Sequence, residues 1–487
     1  MHAQSERATA SSVIPLCVDL DGTLVRTDLL HETVLSLLRG SPLDLARAPA
    51  RLLAGKAALK RWLADRTRLE AAHLPYREEV LALIAEARRA GRPVVLATAA
   101  AEPVAQAIAD HLGLFDRVIS SDEVTNLSAR AKAARLVELY GERGFDYIGN
   151  SRADLPVWEQ ARRVIVVSDS RRLRQRATAG TADSHVIDAK ATGISAAVQA
   201  LRPHQWLKNL LVFVPLFAAQ EADNPALIMS ALLAFIGFCA AASFGYIIND
   251  LLDLGADRQH HRKRNRPFAS GALPISTGLG MGVALIAILA AAAMFLPLAF
   301  TATVLLYLAV TIAYSVRLKQ QVVLDVALLA GLYTIRIIAG AAATGIRPSF
   351  WLLAFSMFIF LSLAIVKRYT ELRAVVGDAD SPLAGRGYAA SDLPVLLSIG
   401  TSSGLISVMV LALYLDTPTV SELYREPLWL WLVPPAMLYW ITRLWMKAHR
   451  GEVHDDPVVF AARDRQSLCL AFVLLLIFAA AAKDVQF

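Results

Sequence analysis

The sequence predicts two folds in series. An open α/β domain with a parallel sheet and a helical cap covers residues 1–190, and an all-α polytopic membrane bundle covers residues 206–487. A linker or interfacial helix at 191–205 joins them. Three observations carry this. The 487-residue chain is 56% hydrophobic with a mean hydropathy of +0.46, more apolar than a soluble globular protein. Its first 190 residues alternate short β-rich runs with helical patterns. From about residue 203 the pattern changes to apolar segments of bilayer length.

In the first part, Ile14–Leu20, Pro93–Thr98, Asp146–Gly149 and Val164–Ser168 read as buried parallel strands with helices between them. The stretch from about 29 to 90 is mostly helical and is expected outside the sheet as a cap. Residues 1–12 are polar and the first apolar run leads into an acidic motif, so no secretory signal peptide is expected. Cys17, Cys239 and Cys469 lack metal-ligand spacing, which argues against disulfide and zinc frameworks.

The second part contains nine apolar segments: roughly 206–220, 226–249, 277–296, 298–315, 322–343, 350–366, 393–415, 427–446 and 466–482. The connections after the second, fourth, sixth and eighth, counting Arg443 at the end of its span, carry sixteen Lys or Arg, whereas the others carry only Arg347 and Arg425. By the positive-inside rule, the charged side and the N-terminal domain are cytoplasmic, and nine spans put the C-terminus outside. The expected location is the inner (plasma) membrane, multi-pass. The net charge of +7 is explained by this topology, and nothing resembles a nucleic-acid module.

Directly after the second segment stand Asn249, Asp250, Asp253 and Asp257, followed by Arg258, Arg262, Lys263, Arg264 and Arg266. Carboxylates three and four residues apart share one helical face and repel each other unless neutralised. Mg²⁺ bridged to a diphosphate is the natural neutraliser. Such a set at a membrane surface suggests an enzyme that handles a diphosphate donor and a lipid acceptor; the bland alternative is a solvated loop after a span. A second polar group comprises Tyr314, Lys319, Asp325, Arg336, Lys367 and Arg368. An arginine inside a span normally faces a polar cavity. Asp325 and Arg336 are eleven residues apart, so they make either a strained salt bridge or a shared ligand site.

The run Asn249, Asp250, Asp253, Asp257, Lys263, Arg266 and Pro267 resembles the first Asp-rich motif of the UbiA superfamily of intramembrane transferases, over about residues 200–487. The resemblance implies that these carboxylates hold Mg²⁺ and the donor diphosphate. The family's second Asp-rich motif is not intact, since Leu329 stands four residues after Asp325. Instead, Leu201-Arg202-Pro203, Gln205-Trp206, Lys208-Asn209, Tyr314-Ser315, Leu318-Lys319, Asp325, Arg336 and Gly340 resemble the decaprenyl-phosphate phosphoribosyltransferase branch. That implies transfer of phosphoribose from phosphoribosyl pyrophosphate to a polyprenyl phosphate. The acceptor phosphate carries its own oxyanion and needs cations rather than a base; Lys319, Lys367 and Arg368 suit that task. The closing run 455–465 resembles the same branch, with no role attached.

In the N-terminal domain, Asp19-Leu20-Asp21-Gly22-Thr23 follows the first predicted strand. The first Asp of such a turn can attack phosphorus and the second can protonate the leaving oxygen. With Thr98, Lys132 and the run Gly149-Asn150-Ser151-Arg152-Ala153-Asp154, this resembles the haloacid dehalogenase superfamily over about residues 13–185. The resemblance implies a Rossmann-like sheet, Asp19 as nucleophile and Asp21 as acid–base group, both at the metal. It also implies phosphate binding by Thr98 and Lys132, and Mg²⁺ support from Asp154. Asn150 stands where a metal-binding Asp is common, which leaves open an active phosphatase or a degenerate domain. An active one could remove the 5-phosphate of a transferred phosphoribose. Two other readings are a prenyltransferase using a prenyl diphosphate and an aromatic acceptor, and a transporter-like carrier, for which no inverted repeat is visible.

Overall fold

The computed structural model describes residues 13–122, 126–179, 183–189, 193–375, 387–453 and 456–482; Arg386 and Asp455 fall outside them. The described residues pack as two compact units, Met1–Ala200 with Asp250–Met281, and Leu201–Asn249 with Gly282–Phe487.

The first unit is built on a six-stranded parallel sheet: β1 Leu16–Val18, β2 Val94–Ala101, β3 Arg117–Ser121, β4 Asp146–Gly149, β5 Arg163–Val167 and β6 Ser184–Ile187, in the order β3-β2-β1-β4-β5-β6. In the register, Cys17 lies opposite Val95 on one side and Tyr147 on the other. Alternate residues feed two cores, as a sheet covered on both faces requires. Leu16, Val18, Leu96 and Ile148 join Ile84 and Ile108 on one face. Cys17, Val95, Tyr147 and Val166 join Leu136 and Trp158 on the other. The four expected strands map to β1, β2, β4 and β5. The other two, β3 and β6, are edge strands with largely exposed or half-buried residues and gave no apolar run.

Between β1 and β2, the helices Leu29–Gly40 and Lys56–Ala64 share a small core of Leu37, Trp62 and Leu63 outside the sheet. The helix Glu78–Arg89, by contrast, buries Val80, Ile84 and Ala87 in the sheet core. Its i, i+4, i+7 stripe is complementary to the sheet.

In the second unit and its connections, seven helices among the described residues are long and apolar enough to cross a membrane: Pro225–Leu252, Ile275–Ala293, Leu298–Val316, Leu324–Thr344, Phe350–Ala374, Ala390–Leu415 and Arg465–Ala482. They leave Val283, Leu298, Leu305, Met357 and Phe472 exposed, as helices that face lipid do. The expected nine spans are therefore not all present as such helices. Segment 206–220 forms a 3₁₀ stretch, Pro203–Phe213, and a short helix, Val214–Ala218, with prolines at both starts. Segment 427–446 becomes the 3₁₀ stretch Pro427–Leu432 and the helix Val433–Arg450, whose last turns carry Arg443, Lys447 and Arg450. Missing backbone donors at proline and charges inside a helix explain both departures.

Small residues set the close helix contacts, as expected in lipid. A Cβ at Gly340 would lie 1.9 Å from the Val212 carbonyl oxygen. Gly340→Ala is therefore expected to push the Leu324–Thr344 helix off the 203–213 stretch, at a cost of about 2 kcal/mol. A lowered melting temperature of the detergent-solubilised protein checks this; an unchanged one contradicts the packing.

Candidate functional site

The first constellation forms at the C-terminal ends of the parallel strands, where open α/β sheets place ligands. Asp19 follows β1 and is 6% exposed. Its Oδ1 accepts a hydrogen bond from Lys132 Nζ at 2.6 Å, and its Oδ2 from Thr23 Oγ1 at 3.1 Å. Lys132, on the helix Arg130–Tyr140, also donates to Tyr147 Oη at 2.9 Å and lies 3.6 Å from Asp154 Oδ1. Tyr147 passes the link on, donating to Asp154 Oδ1 at 2.8 Å. The other oxygen of Asp154 accepts from the backbone N–H groups of Asn150 and Ser151 and from Ser151 Oγ. Asp154 thus holds its loop and Lys132 in place. Gly22 is left-handed (φ +73), and a Cβ there would strike the Asn150 amide, so Asn150 lies against the acidic turn. Asp21 accepts from Leu29 N–H at 2.8 Å.

Burial, opposed by Lys132, moves the Asp19 carboxyl up to about 6; burial reinforced by Asp28 moves Asp21 up to about 7. An Asp that keeps its proton near neutrality suits a general acid. Asp19, Asp21, Lys132, Asn150 and Asp154 line one cavity of about 710 Å³. Thr98 does not line it; it is fully buried, and its hydroxyl accepts the Ala100 N–H while Ala99 reaches the cavity.

A raised carboxyl pKa has a stability consequence. The folded state holds the Asp21 proton up to about pH 7 while the unfolded chain releases it near the ordinary carboxyl value of 3.8, so folding loses stability as pH rises between them. Without metal at pH 8, Asp21→Asn is expected to stabilise the sheet domain by on the order of 2 kcal/mol, the gain shrinking towards pH 5. Hydrogen exchange of β1 and β4 amides reads this; a gain that grows on acidification contradicts it.

The second constellation is the Asp-rich run. Asn249 and Asp250 lie on the last turn of Pro225–Leu252. The helix is interrupted at Asp253 (φ −91°, ψ 10°) before Leu254–Gln259. The three carboxylates therefore do not share one continuous helical face. Asp250 and Asp257, each 2% exposed, converge on one guanidinium: Arg266 Nη1 donates to Asp250 at 3.0 Å and to Asp257 at 2.6 Å. Asp253 lies 4.0 Å from Arg39, and Lys263 begins the turn Lys263–Asn265. Burial, opposed by Arg266, raises the Asp257 carboxyl above its ordinary value.

Among the described residues no three His, Cys, Asp or Glu side chains are gathered as a metal cluster. Two buried carboxylates aimed at one cation nevertheless fit Mg²⁺, which is usually held by one or two carboxylates plus substrate phosphates. The turn at Asp19 and Asp21, with the Asn150 amide beside it, offers a similarly sparse all-oxygen set.

In the second unit, two buried charge groups stand apart. Asp325 pairs with Arg368 at 2.7 Å and accepts from Tyr388 Oη at 2.5 Å; Arg368 also bonds Glu371 and reaches Tyr314 Oη at 3.4 Å. Tyr388 in turn accepts the N–H of Val323, a β-branched residue at φ 68°. Such a conformation persists only where the surroundings fix it. Arg336 donates to Asn209 Oδ1 at 2.9 Å and to Tyr307 Oη at 3.4 Å, and lies over the rings of Phe238, Tyr307 and Tyr333. Among the described residues Asp325 and Arg336 thus pair with different side chains. Asp456, given no role by the sequence, is a hub: Lys208 lies at 2.5 Å, Lys367 at 3.5 Å, and Tyr333 Oη donates to it at 3.1 Å. Lys319 is half-buried on the turn Leu318–Gln320.

A catalytic-type acidic turn on a parallel sheet, joined to a helical membrane bundle with an acidic motif, defines a two-domain membrane enzyme. The chain belongs to the UbiA prenyltransferase family, whose model matches residues 210–463; residues 16–159 match the haloacid dehalogenase-like hydrolases. An uncharacterized protein, y4nM of Sinorhizobium fredii, is 39% identical over 93% of this chain and 88% of its own length. A decaprenyl-phosphate phosphoribosyltransferase of Corynebacterium glutamicum is 41% identical over 36% of this chain and 54% of its own. A solved UbiA homologue from Archaeoglobus fulgidus, bound to GPP and Mg²⁺, covers 59% of this chain and 99% of its own at 16% identity, with a TM-score of 0.46.

Proposed function

We propose that this protein transfers phosphoribose from phosphoribosyl pyrophosphate to a polyprenyl phosphate, and that its N-terminal domain removes the 5-phosphate of the product. The observation that carries the transferase reading is the pair of buried carboxylates, Asp250 and Asp257, converging on Arg266. The relative named as a decaprenyl-phosphate phosphoribosyltransferase supports the choice of donor.

Mg²⁺, when bound by Asp250, Asp253 and Asp257, supplies positive charge to the leaving diphosphate. Lys263 and Arg266 add to that charge, and Asn249 orients the first carboxylate. Lys208 and Lys367, both held by Asp456, and Lys319 take the acceptor phosphate, whose own oxyanion attacks the anomeric carbon as pyrophosphate departs. Arg336, Tyr314, Asp325 and Arg368 are assigned to substrate binding within the membrane bundle. In the N-terminal domain, Asp19 attacks the 5-phosphorus, the ester P–O bond breaks, and Asp21 gives its proton to the departing sugar oxygen. Water then hydrolyses the aspartyl phosphate, releasing inorganic phosphate and restoring Asp19. Lys132 holds the phosphate, with Thr98 behind it supporting the strand end. The N-terminal domain lies on the cytoplasmic side of the inner (plasma) membrane and the C-terminus outside, consistent with the loop charges.

A donor comparison tests the reading. Purified protein with a polyprenyl phosphate is expected to release pyrophosphate from phosphoribosyl pyrophosphate but not from geranyl or longer diphosphates. The reverse preference, with an aromatic acceptor, makes it a prenyltransferase.

A further inference from the structure

The phosphatase cavity is not built by the sheet domain alone. Gly271, Ala272, Pro274, Ile275 and Ser276 form part of its wall, together with Asp19, Asp21 and Lys132. They come from the segment that follows the Asp-rich run and enters the next apolar helix, and within the first compact unit this segment is fastened firmly. Arg258 makes a two-pronged ion pair with Glu32 at 2.8 and 2.6 Å, both side chains under 10% exposed. Gln259 donates to Glu70 at 2.7 Å, and Arg39 Nη1 to the Leu252 carbonyl at 3.4 Å. Gly271 is left-handed (φ +69), and a Cβ on it would lie 2.6 Å from Arg26 Cβ, so the segment meets the loop after the acidic turn with no side chain between.

Arg26 and His31 both line the cavity, Arg26 with Nη2 3.7 Å from Glu79 and His31 with Nδ1 3.4 Å from Asp28. The wall mixes donors with acceptors: Arg26 and Arg77 with Asp28, Glu79 and Ser276. Sugar hydroxyls, which both donate and accept, match such a wall. The volume of about 710 Å³ lies in the range of small-molecule sites and exceeds what a bare phosphate fills.

We propose that residues 271–276, with Arg26 and His31, form the leaving-group subsite of the phosphatase and select the phosphate monoester of a sugar. This deepens the proposed function and rests on Asp19 acting as the phosphatase nucleophile. The segment that carries the transferase's acidic motif thereby also shapes the pocket of the hydrolase.

The test uses the full-length protein in detergent with Mg²⁺, comparing ribose 5-phosphate with methyl phosphate, whose leaving group is too small to reach this wall. Ser276→Trp, at an exposed position on the wall, and Ala272→Leu are each expected to lower kcat/KM for the sugar phosphate at least about tenfold, mainly through KM. Hydrolysis of methyl phosphate is expected to change by less than about twofold. Equal losses on both esters in both variants, or no loss on either, overturn the subsite. A wild-type protein whose phosphate release from both esters equals that of Asp19→Asn instead sinks the phosphatase reading, and the subsite with it.

Discussion

Asp257→Asn is expected to reduce pyrophosphate-forming transfer by about a thousandfold while leaving membrane insertion and N-terminal phosphatase activity intact. The reason lies in the local arrangement. Asp250 and Asp257 are both buried, and Arg266 bridges them. Converting one to an amide keeps its shape and most of its hydrogen bonding but removes one of the two charges able to hold a divalent cation. Because Asp257 sits in the short helix Leu254–Gln259, outside the preceding apolar span, the span itself is not perturbed. Asp250→Asn is expected to act alike. Asp253→Asn is expected to abolish transfer as well, although its neighbour in the structure is Arg39. Steady-state pyrophosphate release, with protein recovered in the membrane fraction as the control, measures all three. Normal turnover in the Asp257 variant sinks the metal assignment.

The second large effect concerns Asp19. Asp19→Asn is expected to lower phosphatase turnover by at least about a thousandfold, because an amide cannot form the aspartyl phosphate. The substitution also removes the anionic partner that Lys132 meets at 2.6 Å, leaving Tyr147 and Asp154 to hold the ammonium. Since that chain of contacts survives, the fold is expected to persist, and the loss appears in kcat rather than in protein yield. If this variant and the wild type release equal phosphate from the lipid product, the two activities are not coupled.

What the sequence disclosed follows from the range of the interactions involved. Local signals were legible. The buried runs at Leu16–Val18 and Val164–Val167 have no polar interruption, and the acidic turn at Asp19 announces its chemistry through residue type and glycine alone. The Asp-rich motif was legible as composition, but not the break in the helix at Asp253. Long-range pairings were invisible. Asp456 lies 248 residues from Lys208, and Arg368 lies 43 residues from Asp325, so spacing offered no hint of either. The eleven-residue interval from Asp325 to Arg336 drew attention to these two as a pair, whereas they pair with different side chains among the described residues. Tyr147 was hidden because a strand tyrosine reads as core, and it is core, yet its hydroxyl links Lys132 to Asp154. The packing of 271–276 onto the phosphatase cavity is a tertiary fact with no periodicity to betray it.

The central claim is that one chain builds a phosphoribosyl lipid and then trims it. Mass analysis of the lipid made by purified protein from phosphoribosyl pyrophosphate and a polyprenyl phosphate tests it most directly. Wild-type protein should yield the dephosphorylated ribosyl lipid, Asp19→Asn the same lipid retaining its 5-phosphate, and Asp257→Asn unreacted acceptor. A wild-type product that carries a prenyl group, or no ribose at all, contradicts the account.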